Sequence, residues 1–341
     1  MRTLRTLEAL EREGLVADDA RLAEAAQAMA IAVTPEILGL IDRSDPTDPI
    51  ARQFVPSVAE TEIRADELVD PIGDDARSPV KGIVHRYPDR VLLKPLHVCP
   101  VYCRFCFRRE KVGPGGEALS AAELDAAVAY IKARPEIWEV ILTGGDPLML
   151  APRRLAELIA ALDAIEHVAV IRIHSRVPIV DPSRVTGELV AALKPRRATL
   201  WFAVHCNHAR ELAPEARTAL ARLADAGIPL MGQTVLLAGV NDEVETLEAL
   251  MRALVTARVK PYYLHHPDLV RGTGHFRVSV ERGQALMKTL RGRLSGLAQP
   301  TYVLDVPGGH GKVPIGPGYL GDDPDALLIE DAFGGQHRYP R

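Results

Sequence analysis

The sequence has few cysteines, no long apolar run and no large excess of charge of either sign. No uninterrupted apolar run reaches the roughly eighteen residues of a membrane-spanning helix, so we expect no membrane partner. The net charge is −4, with neither a block of like charges nor a basic stripe, so we expect no nucleic-acid partner. With 47% apolar residues in 341, the chain can bury one large core or two modest ones. We therefore expect a cytoplasmic globular protein.

Three of the four cysteines lie in a single run, Cys99-Pro-Val-Tyr-Cys103-Arg-Phe-Cys106. Such a C-x3-C-x2-C loop can bring three thiolates to one metal centre, but it has one thiolate too few for a closed four-cysteine zinc or iron–sulfur site. The coordination position that stays open is where chemistry can take place. A structural zinc with His97 or a distant fourth ligand is the alternative that these residues leave open. We treat the fourth cysteine, Cys206, as a core thiol.

From about Val91 onward, short β-branched apolar runs alternate with helical patterns. Strands are predicted at Val91–Val98, Val140–Thr143, Val168–His174, Thr199–His205, Leu230–Leu236 and Pro261–His265. Helices are predicted at Ala121–Ala133, Pro152–Ile165, Arg184–Leu193, Pro214–Ala226 and Glu243–Ala257, with Ser120 and Glu123 as a capping box before the first. Six alternations imply parallel βα units, so we predict an α/β fold with a partial (βα)6 TIM-like barrel. Functional side chains should lie at the carboxyl ends of its strands.

The regions outside the barrel have a different texture. Leu4, Leu7, Leu10 and Leu15 predict one amphipathic helix, and Asp18–Ala32 predicts a second. We divide the chain into an N-terminal helical extension (residues 1–77), a barrel (78–320) and a C-terminal tail (321–341). A further strand at Tyr302–Leu304 leads into a glycine-rich segment that ends at Lys312.

The cysteine run and its neighbours resemble a known family. The spacing is similar to that of the radical S-adenosylmethionine (SAM) enzymes, and the continuation Cys103-Arg-Phe-Cys106-Phe-Arg108-Arg109 resembles the lysine 2,3-aminomutases. The resemblance extends from about His85 to Tyr319. It implies a barrel of radical SAM type in which Cys99, Cys103 and Cys106 hold a [4Fe–4S] cluster and the remaining iron binds SAM. It also implies a pyridoxal 5′-phosphate (PLP) site in the barrel.

The segment Thr143-Gly144-Gly145-Asp146 follows a predicted buried strand, where two glycines allow close approach of the backbone to a ligand. On the residues alone, a simple tight turn is an equally good interpretation. The resemblance implies that Gly144, Gly145 and Asp146 receive the ammonium group of SAM. It also implies that Ser175, His205 and Gln233 approach SAM or the neighbouring cofactor.

Lys312 lies among glycines, but the segment does not match a phosphate-binding P-loop, because positions 306 and 313 are both valine. A lysine on an open loop can form a Schiff base with a cofactor aldehyde. The resemblance implies that Lys312 does so with PLP, and that Arg86 and Arg90 hold the PLP phosphate. Surface salt bridges are the alternative for the two arginines.

Three charged residues match the lysine-specific pattern of the family. The resemblance implies that Arg108 binds the substrate α-carboxylate and that Asp268 and Asp305 bind the ε-ammonium group. Two buried carboxylates oppose each other's ionisation, and a cationic substrate would relieve that cost. The alternative is that each aspartate pairs with a local arginine such as Arg271.

The resemblance implies an isomerase that converts L-lysine to β-lysine by 1,2-amino migration through a 5′-deoxyadenosyl radical. An electron donor such as flavodoxin or ferredoxin would then be a partner, and a homo-oligomer is possible. The short length resembles the branch that makes β-lysine for elongation factor P, whereas Asp268, Asp305 and the segment that ends at Lys312 resemble the lysine-catabolic members more closely. Arginine is an alternative substrate, and a non-catalytic iron–sulfur protein is an alternative of a different class.

Overall fold

The computed structural model describes residues 2–17 and 19–341, and its centre is a nine-stranded sheet whose spatial order follows the sequence. The strands are β1 Ile83–Tyr87, β2 Arg90–Leu96, β3 Glu139–Gly144, β4 Val170–Ser175, β5 Thr199–His205, β6 Leu230–Val235, β7 Val259–His265, β8 Thr301–Val306 and β9 Gly311–Pro314. Strands β2 to β8 pair in parallel, whereas β1 and β9 add antiparallel hairpins at the two edges. The predicted α/β partial barrel is confirmed.

In the described part of the chain, four α-helices precede the sheet, and the remaining α-helices lie between its parallel strands. The helices are α1 Leu7–Arg12, α2 Ala20–Ala28, α3 Pro35–Leu40, α4 Ala51–Phe54, α5 Ala121–Lys132, α6 Pro152–Asp163, α7 Val177–Val180, α8 Gly187–Ala192, α9 Pro214–Asp225, α10 Val244–Thr256 and α11 Val280–Arg293. In α6, the buried residues Leu155, Leu158, Ile159 and Leu162 recur at helical spacing and pack on the sheet. The predicted capping box of Ser120 and Glu123 begins α5. Among the described residues, no helix has the length and apolarity needed to cross a bilayer.

The N-terminal region differs from its prediction in detail. Leu4 forms a β-bridge with Val33 and lies outside α1, and Gly14, with a φ of +68°, follows the end of that helix. The predicted second helix began at Asp18, which lies outside the described residues. The helix observed there starts at Ala20, because the Asp19 carboxylate accepts a hydrogen bond from the Arg21 N–H as its N-cap.

The segment predicted as a C-terminal tail contains regular structure. Strands β10 Leu320–Asp323, β11 Ala326–Glu330 and β12 Gln336–Pro340 form a separate antiparallel sheet. The two turns that join these strands keep the pairing in continuous register. Residues 320–340 therefore add a small β-sheet to the barrel.

Candidate active site

The cysteine loop follows β2 at the carboxyl end of the barrel. A hydrogen bond of 2.9 Å from the Cys106 N–H to the Cys103 carbonyl closes its turn. All three thiols are partly buried, and burial raises the pKa of each, that of Cys106 to about 11. The thiolates of Cys103 and Cys106 also oppose the ionisation of Cys99, so the three groups act on one another electrostatically.

Three such thiols on one loop fit an iron–sulfur cluster that takes a fourth ligand from elsewhere. Within residues 2–17 and 19–341, however, no group of three or more His, Cys, Asp or Glu side chains, these three cysteines included, is placed so that it could hold a metal ion. The fourth cysteine, Cys206, is 1% exposed in the hydrophobic core, as predicted.

The segment Gly144-Gly145-Asp146 runs beside the cysteine loop. The Gly145 N–H donates to the Leu96 carbonyl at 2.7 Å, and the Asp146 N–H donates to the Val98 carbonyl at 3.0 Å. A Cβ on Gly145 would lie 2.5 Å from the Val98 carbonyl oxygen, and Gly144 has a φ of +108°. Both positions therefore require glycine so that the two loops can pack directly against each other.

Asp146 and Ser175 lie together, but the carboxylate is already bonded within the protein. The Ser175 hydroxyl donates to its two oxygens at 2.8 and 3.0 Å, and the Arg176 N–H donates at 2.8 Å. Burial raises the pKa of Asp146, and these donors oppose the rise. Asp146 therefore fixes the loop that follows β4 to the one that follows β3.

His205 and Gln233 are in register on neighbouring strands β5 and β6. The His205 Nε2 lies 3.2 Å from the Asn207 Oδ1, and its ring packs against Phe105 with centroids 5.6 Å apart. Burial, reinforced by the nearby Arg176, lowers the pKa of His205 well below its usual value. His205 is therefore neutral at pH 7.

Arg86 and Arg108, predicted to bind different anionic groups, share one carboxylate, that of Asp74. Arg108 donates to the Asp74 Oδ2 at 3.0 and 3.1 Å, and Arg86 donates to the Oδ1 at 3.3 Å. The ammonium group of Lys94 lies 3.6 Å from the same Oδ2. Burial alone would raise the pKa of Asp74, but Arg108, Lys94 and Arg86 outweigh burial and lower it. One carboxylate thus faces three cations, which leaves a local excess of positive charge.

Lys312 lies on strand β9 and not on the open loop that the glycines predicted. Gly308 and Gly309 adopt φ values of +84° and +81°, which turn the chain back so that β9 pairs with β8. This register places Lys312 opposite Asp305, and the Lys312 ammonium group binds the Asp305 carboxylate. The Lys312 side chain remains 24% exposed.

The two predicted substrate acids have opposite charge properties. Burial would raise the pKa of Asp305, but its contacts with His265 and Lys312 outweigh burial and hold that pKa well below its usual range. The pKa of Asp268 is raised to about 7, by burial and then by the Asp305 charge. Asp305 is therefore a fixed anion, and Asp268 titrates near neutral pH.

Tyr87 connects Arg90 to Lys312, because its ring contacts the first residue and its hydroxyl group contacts the second. The Arg90 guanidinium lies 3.8 Å from the centre of the Tyr87 ring and donates to the Asp89 carboxylate at 2.7 Å. The Tyr87 hydroxyl accepts a hydrogen bond of 2.6 Å from the Lys312 N–H. Arg90 therefore borders the Lys312 hairpin but does not share the carboxylate that binds Arg86.

The N-terminal region supports the cysteine loop from behind. The fully buried Arg104 donates to the Glu60 carboxylate at 2.6 and 2.8 Å, and Arg109 donates to the same group at 2.7 Å. The Arg104 N–H also donates to the Gln53 carbonyl at 2.9 Å. Sequence reasoning missed Glu60, Gln53 and Asp74, because a polar side chain carries no local sign of an arginine partner that is distant in the sequence.

Comparison with known proteins places this site in a family. The model of the radical SAM superfamily matches residues 93–251, and the model of lysine-2,3-aminomutase matches residues 287–335. L-lysine 2,3-aminomutase of Acetoanaerobium sticklandii is 46% identical over 292 residues, which cover 86% of this chain and 70% of that protein. The enzyme of the same name from Clostridium subterminale is 43% identical over 88% of this chain and 72% of its own length. Glutamate 2,3-aminomutase of Clostridioides difficile is 38% identical over 85% and 68%.

The barrel with its three-cysteine loop is that of a radical SAM enzyme. Within that class, the chain belongs to the lysine 2,3-aminomutase family. The protein is therefore an isomerase of the aminomutase type. A [4Fe–4S] cluster, SAM and PLP are the cofactors of this family.

Proposed function

We propose that the protein converts L-lysine to β-lysine, with Arg108, Asp268 and Asp305 as the residues that bind the substrate. The observation that carries the proposal is the polarity around Lys312. The carboxyl groups of Asp268 and Asp305 act on its ammonium group, and Arg86, which lies 3.7 Å from Asp305, links them to the cations around Asp74. A substrate with a carboxylate at one end and an ammonium group at the other matches this distribution of charge.

The acid pair favours a cationic side chain over an acidic one. Asp268 and Asp305 oppose each other's ionisation, and a bound ammonium group would stabilise both charges. The side-chain carboxylate of glutamate would instead meet like charge. Because a relative that is 38% identical is named a glutamate 2,3-aminomutase, this pair is the feature on which we base the choice of lysine.

The residues present fit the PLP phosphate. The buried Nε of Arg86 has no hydrogen-bond acceptor among the described residues, and a phosphate oxygen would provide one. We propose that Arg86 and Arg90 bind the phosphate and that the Lys312 amine holds the aldehyde.

We propose Cys99, Cys103 and Cys106 as the cluster ligands, and Gly144, Gly145 and Asp146 as the segment that receives the SAM ammonium group. Ser175, His205 and Gln233 would border SAM or PLP. The cofactors together supply a carbon radical that removes hydrogen from the substrate Cβ and a conjugated system through which nitrogen moves from Cα to Cβ. The protein residues position the substrate and exclude water.

The same proposal includes the partners. The cluster needs one electron from outside, so we infer a donor of the flavodoxin or ferredoxin type. We propose that the protein works in the cytoplasm, where a reducing environment keeps the thiols available, and that it can form a homo-oligomer. The division into residues 1–77, 78–320 and 321–341 stays our working description of the chain.

The test is a substrate panel. The anaerobically reconstituted protein is incubated separately with lysine, arginine and glutamate, and the β-isomers are measured by mass spectrometry. We expect β-lysine. A preference for arginine would show that the acid pair binds a guanidinium group, and turnover of glutamate alone would overturn the proposal. A protein that holds the cluster but converts none of the three amino acids would instead support the non-catalytic alternative.

Lys312→Ala tests the role of the amine. We expect loss of PLP absorbance and of β-lysine formation, whereas reductive cleavage of SAM should persist, because the cluster ligands are untouched. Lys288→Ala is the matched control, since Lys288 is 40% exposed and binds only a surface acid, Glu330. β-Lysine formation by Lys312→Ala at the wild-type rate would refute the assignment.

A further inference from the structure

Arg176 is a buried charge that no step of the amino migration uses. It follows β4 directly and is 5% exposed. Its Nη1 donates a hydrogen bond of 2.9 Å to the Sγ of Cys103. A guanidinium cation therefore touches one of the three sulfurs proposed to hold the cluster.

Its surroundings hold the guanidinium in one orientation. The Nη2 of Arg176 donates to the Glu211 carboxylate at 2.6 Å and to the Oε1 of Gln53 at 2.7 Å. The rings of Phe54 and Phe105 lie 4.5 and 5.4 Å from its central carbon. Two polar partners and two rings thus prevent the cation from turning away from the sulfur.

Glu211 is itself fixed, so the pair cannot move as a unit. Its other carboxylate oxygen accepts hydrogen bonds from the N–H groups of Asn207 and His208 at 3.0 and 2.9 Å. The Gln53 Nε2 donates to the same oxygen at 3.1 Å. Glu211, Gln53 and Asn207 are all 0% exposed. The arginine therefore keeps its contact with Cys103 in a region of low dielectric constant.

Reduction of a cluster adds one negative charge, which hydrogen bonds to its sulfurs stabilise. We propose that Arg176 raises the reduction potential of the [4Fe–4S] cluster through its hydrogen bond to the Cys103 sulfur. In the step concerned, one electron passes from the donor protein to the cluster, the donor is oxidised, and no covalent bond changes. The inference rests on the proposed cluster ligands. In this proposal, Arg176 acts on the cluster through the Cys103 sulfur and has no contact with the substrate.

The test is the reduction potential of the reconstituted cluster, measured by an anaerobic titration followed by electron paramagnetic resonance. Arg176→Met is combined with Glu211→Gln so that no buried carboxylate is left unpaired. Arg176→Lys keeps the charge and loses the fixed fork. The control combines Arg172→Met with Glu139→Gln, because this largely buried pair, at 2.9 Å, joins strand β4 to strand β3 without a thiol contact.

We expect the paired Arg176 variant to shift the reduction equilibrium at least about tenfold toward the oxidised cluster, which is about 59 mV for one electron. The lysine variant should shift less in the same direction, and the control should match the wild type. Potentials in both Arg176 variants equal to that of the wild type would overturn the inference. Loss of the cluster from both Arg176 variants would also overturn the inference, since Arg176 would then be needed to assemble the cluster. A wild-type protein without a cluster would instead refute the proposed function.

Discussion

Asp268→Asn should weaken turnover of lysine and stabilise the protein at alkaline pH. The pKa of Asp268 is about 7 because burial and the Asp305 charge disfavour its ionised form. Since kcat/KM reports groups of the free enzyme, wild-type kcat/KM for lysine should rise about tenfold per pH unit below pH 7 and level off above it. Under the proposed function, the ionised Asp268 carboxylate is the form that attracts the substrate ammonium group.

The size of the loss follows from the contact that is removed. A hydrogen bond to a charged group contributes about 1.5–3 kcal/mol, so Asp268→Asn should lower kcat/KM at pH 8 by about 10- to 150-fold. The kcat/KM that remains should no longer rise with pH toward pH 7, because asparagine does not titrate.

Stability should change in the opposite direction. The pKa of this group in the folded protein lies above its ordinary value of 3.8, so stability is highest at low pH and falls as the pH rises toward 7. One pKa unit corresponds to about 1.4 kcal/mol, so the cost at pH 8 is at most about 4 kcal/mol, and residual solvent contact lowers it. Asparagine avoids this cost, and its stabilising effect should be larger at pH 8 than at pH 5.

Steady-state kinetics from pH 6 to 8.5 and thermal unfolding of the cofactor-free protein provide the two measurements. Asp225→Asn is the control, since Asp225 is 68% exposed and forms a surface ion pair with Arg258. The control should change neither quantity. The reasoning is refuted if Asp268→Asn retains the wild-type pH profile or unfolds at a lower temperature than the wild type at pH 8.

Three other substitutions test the supports of the site. Glu60→Gln should cost about 3–5 kcal/mol because it leaves two buried guanidinium groups without a carboxylate, and an unchanged thermal midpoint would contradict this. Gly145→Ala should prevent retention of the cluster, since its Cβ would lie 2.5 Å from the Val98 carbonyl oxygen, and a full iron content after reconstitution would disprove the clash. Asp74→Asn should destabilise the protein at pH 7, and the effect should shrink as the pH falls below about 4, because the lowered pKa of Asp74 stabilises only its ionised form. Thermal midpoints of Asp74→Asn and the wild type, measured at pH 7 and below pH 4, test this, and an equal difference at the two pH values would contradict it.

The barrel could be predicted from the sequence because its signals are local. The predicted strand Thr199–His205 coincides with β5, and the predicted Val140–Thr143 lies within β3. Buried parallel strands are continuous apolar runs, and the helices between them show regular apolar spacing. The three-cysteine loop was recognisable for the same reason, since its spacing is contained in eight residues.

Helix α11 was missed because its sequence hides its packing. Its charged residues dominate the pattern, and Gly283 stands on its buried face. A Cβ at that position would lie 2.1 Å from the Tyr302 hydroxyl oxygen. The glycine makes room for the tyrosine of strand β8, and this reason is visible only in three dimensions.

The polar contacts of the site were beyond sequence reasoning because their partners are far apart. Glu60 and Arg104 are separated by 44 positions, and Gln53 and Arg176 by 123. Nothing in the sequence around Arg176 distinguishes an arginine that donates to a cysteine sulfur from an ordinary surface arginine. Lys312 was placed on a loop because three nearby glycines mask the strand pairing that brings it to Asp305.

The N-terminal extension supplies the negative charge that the barrel's arginines require. Glu60 neutralises the two arginines behind the cysteine loop, and Asp74 orients Arg108 and Arg86. Without these two acids, several guanidinium groups would be buried without a counter-charge, at a cost of several kcal/mol each. The loop that carries the cysteines and the arginine that we propose to bind the substrate carboxylate therefore depend on the same 77 residues. For this reason we regard the extension as part of the catalytic unit.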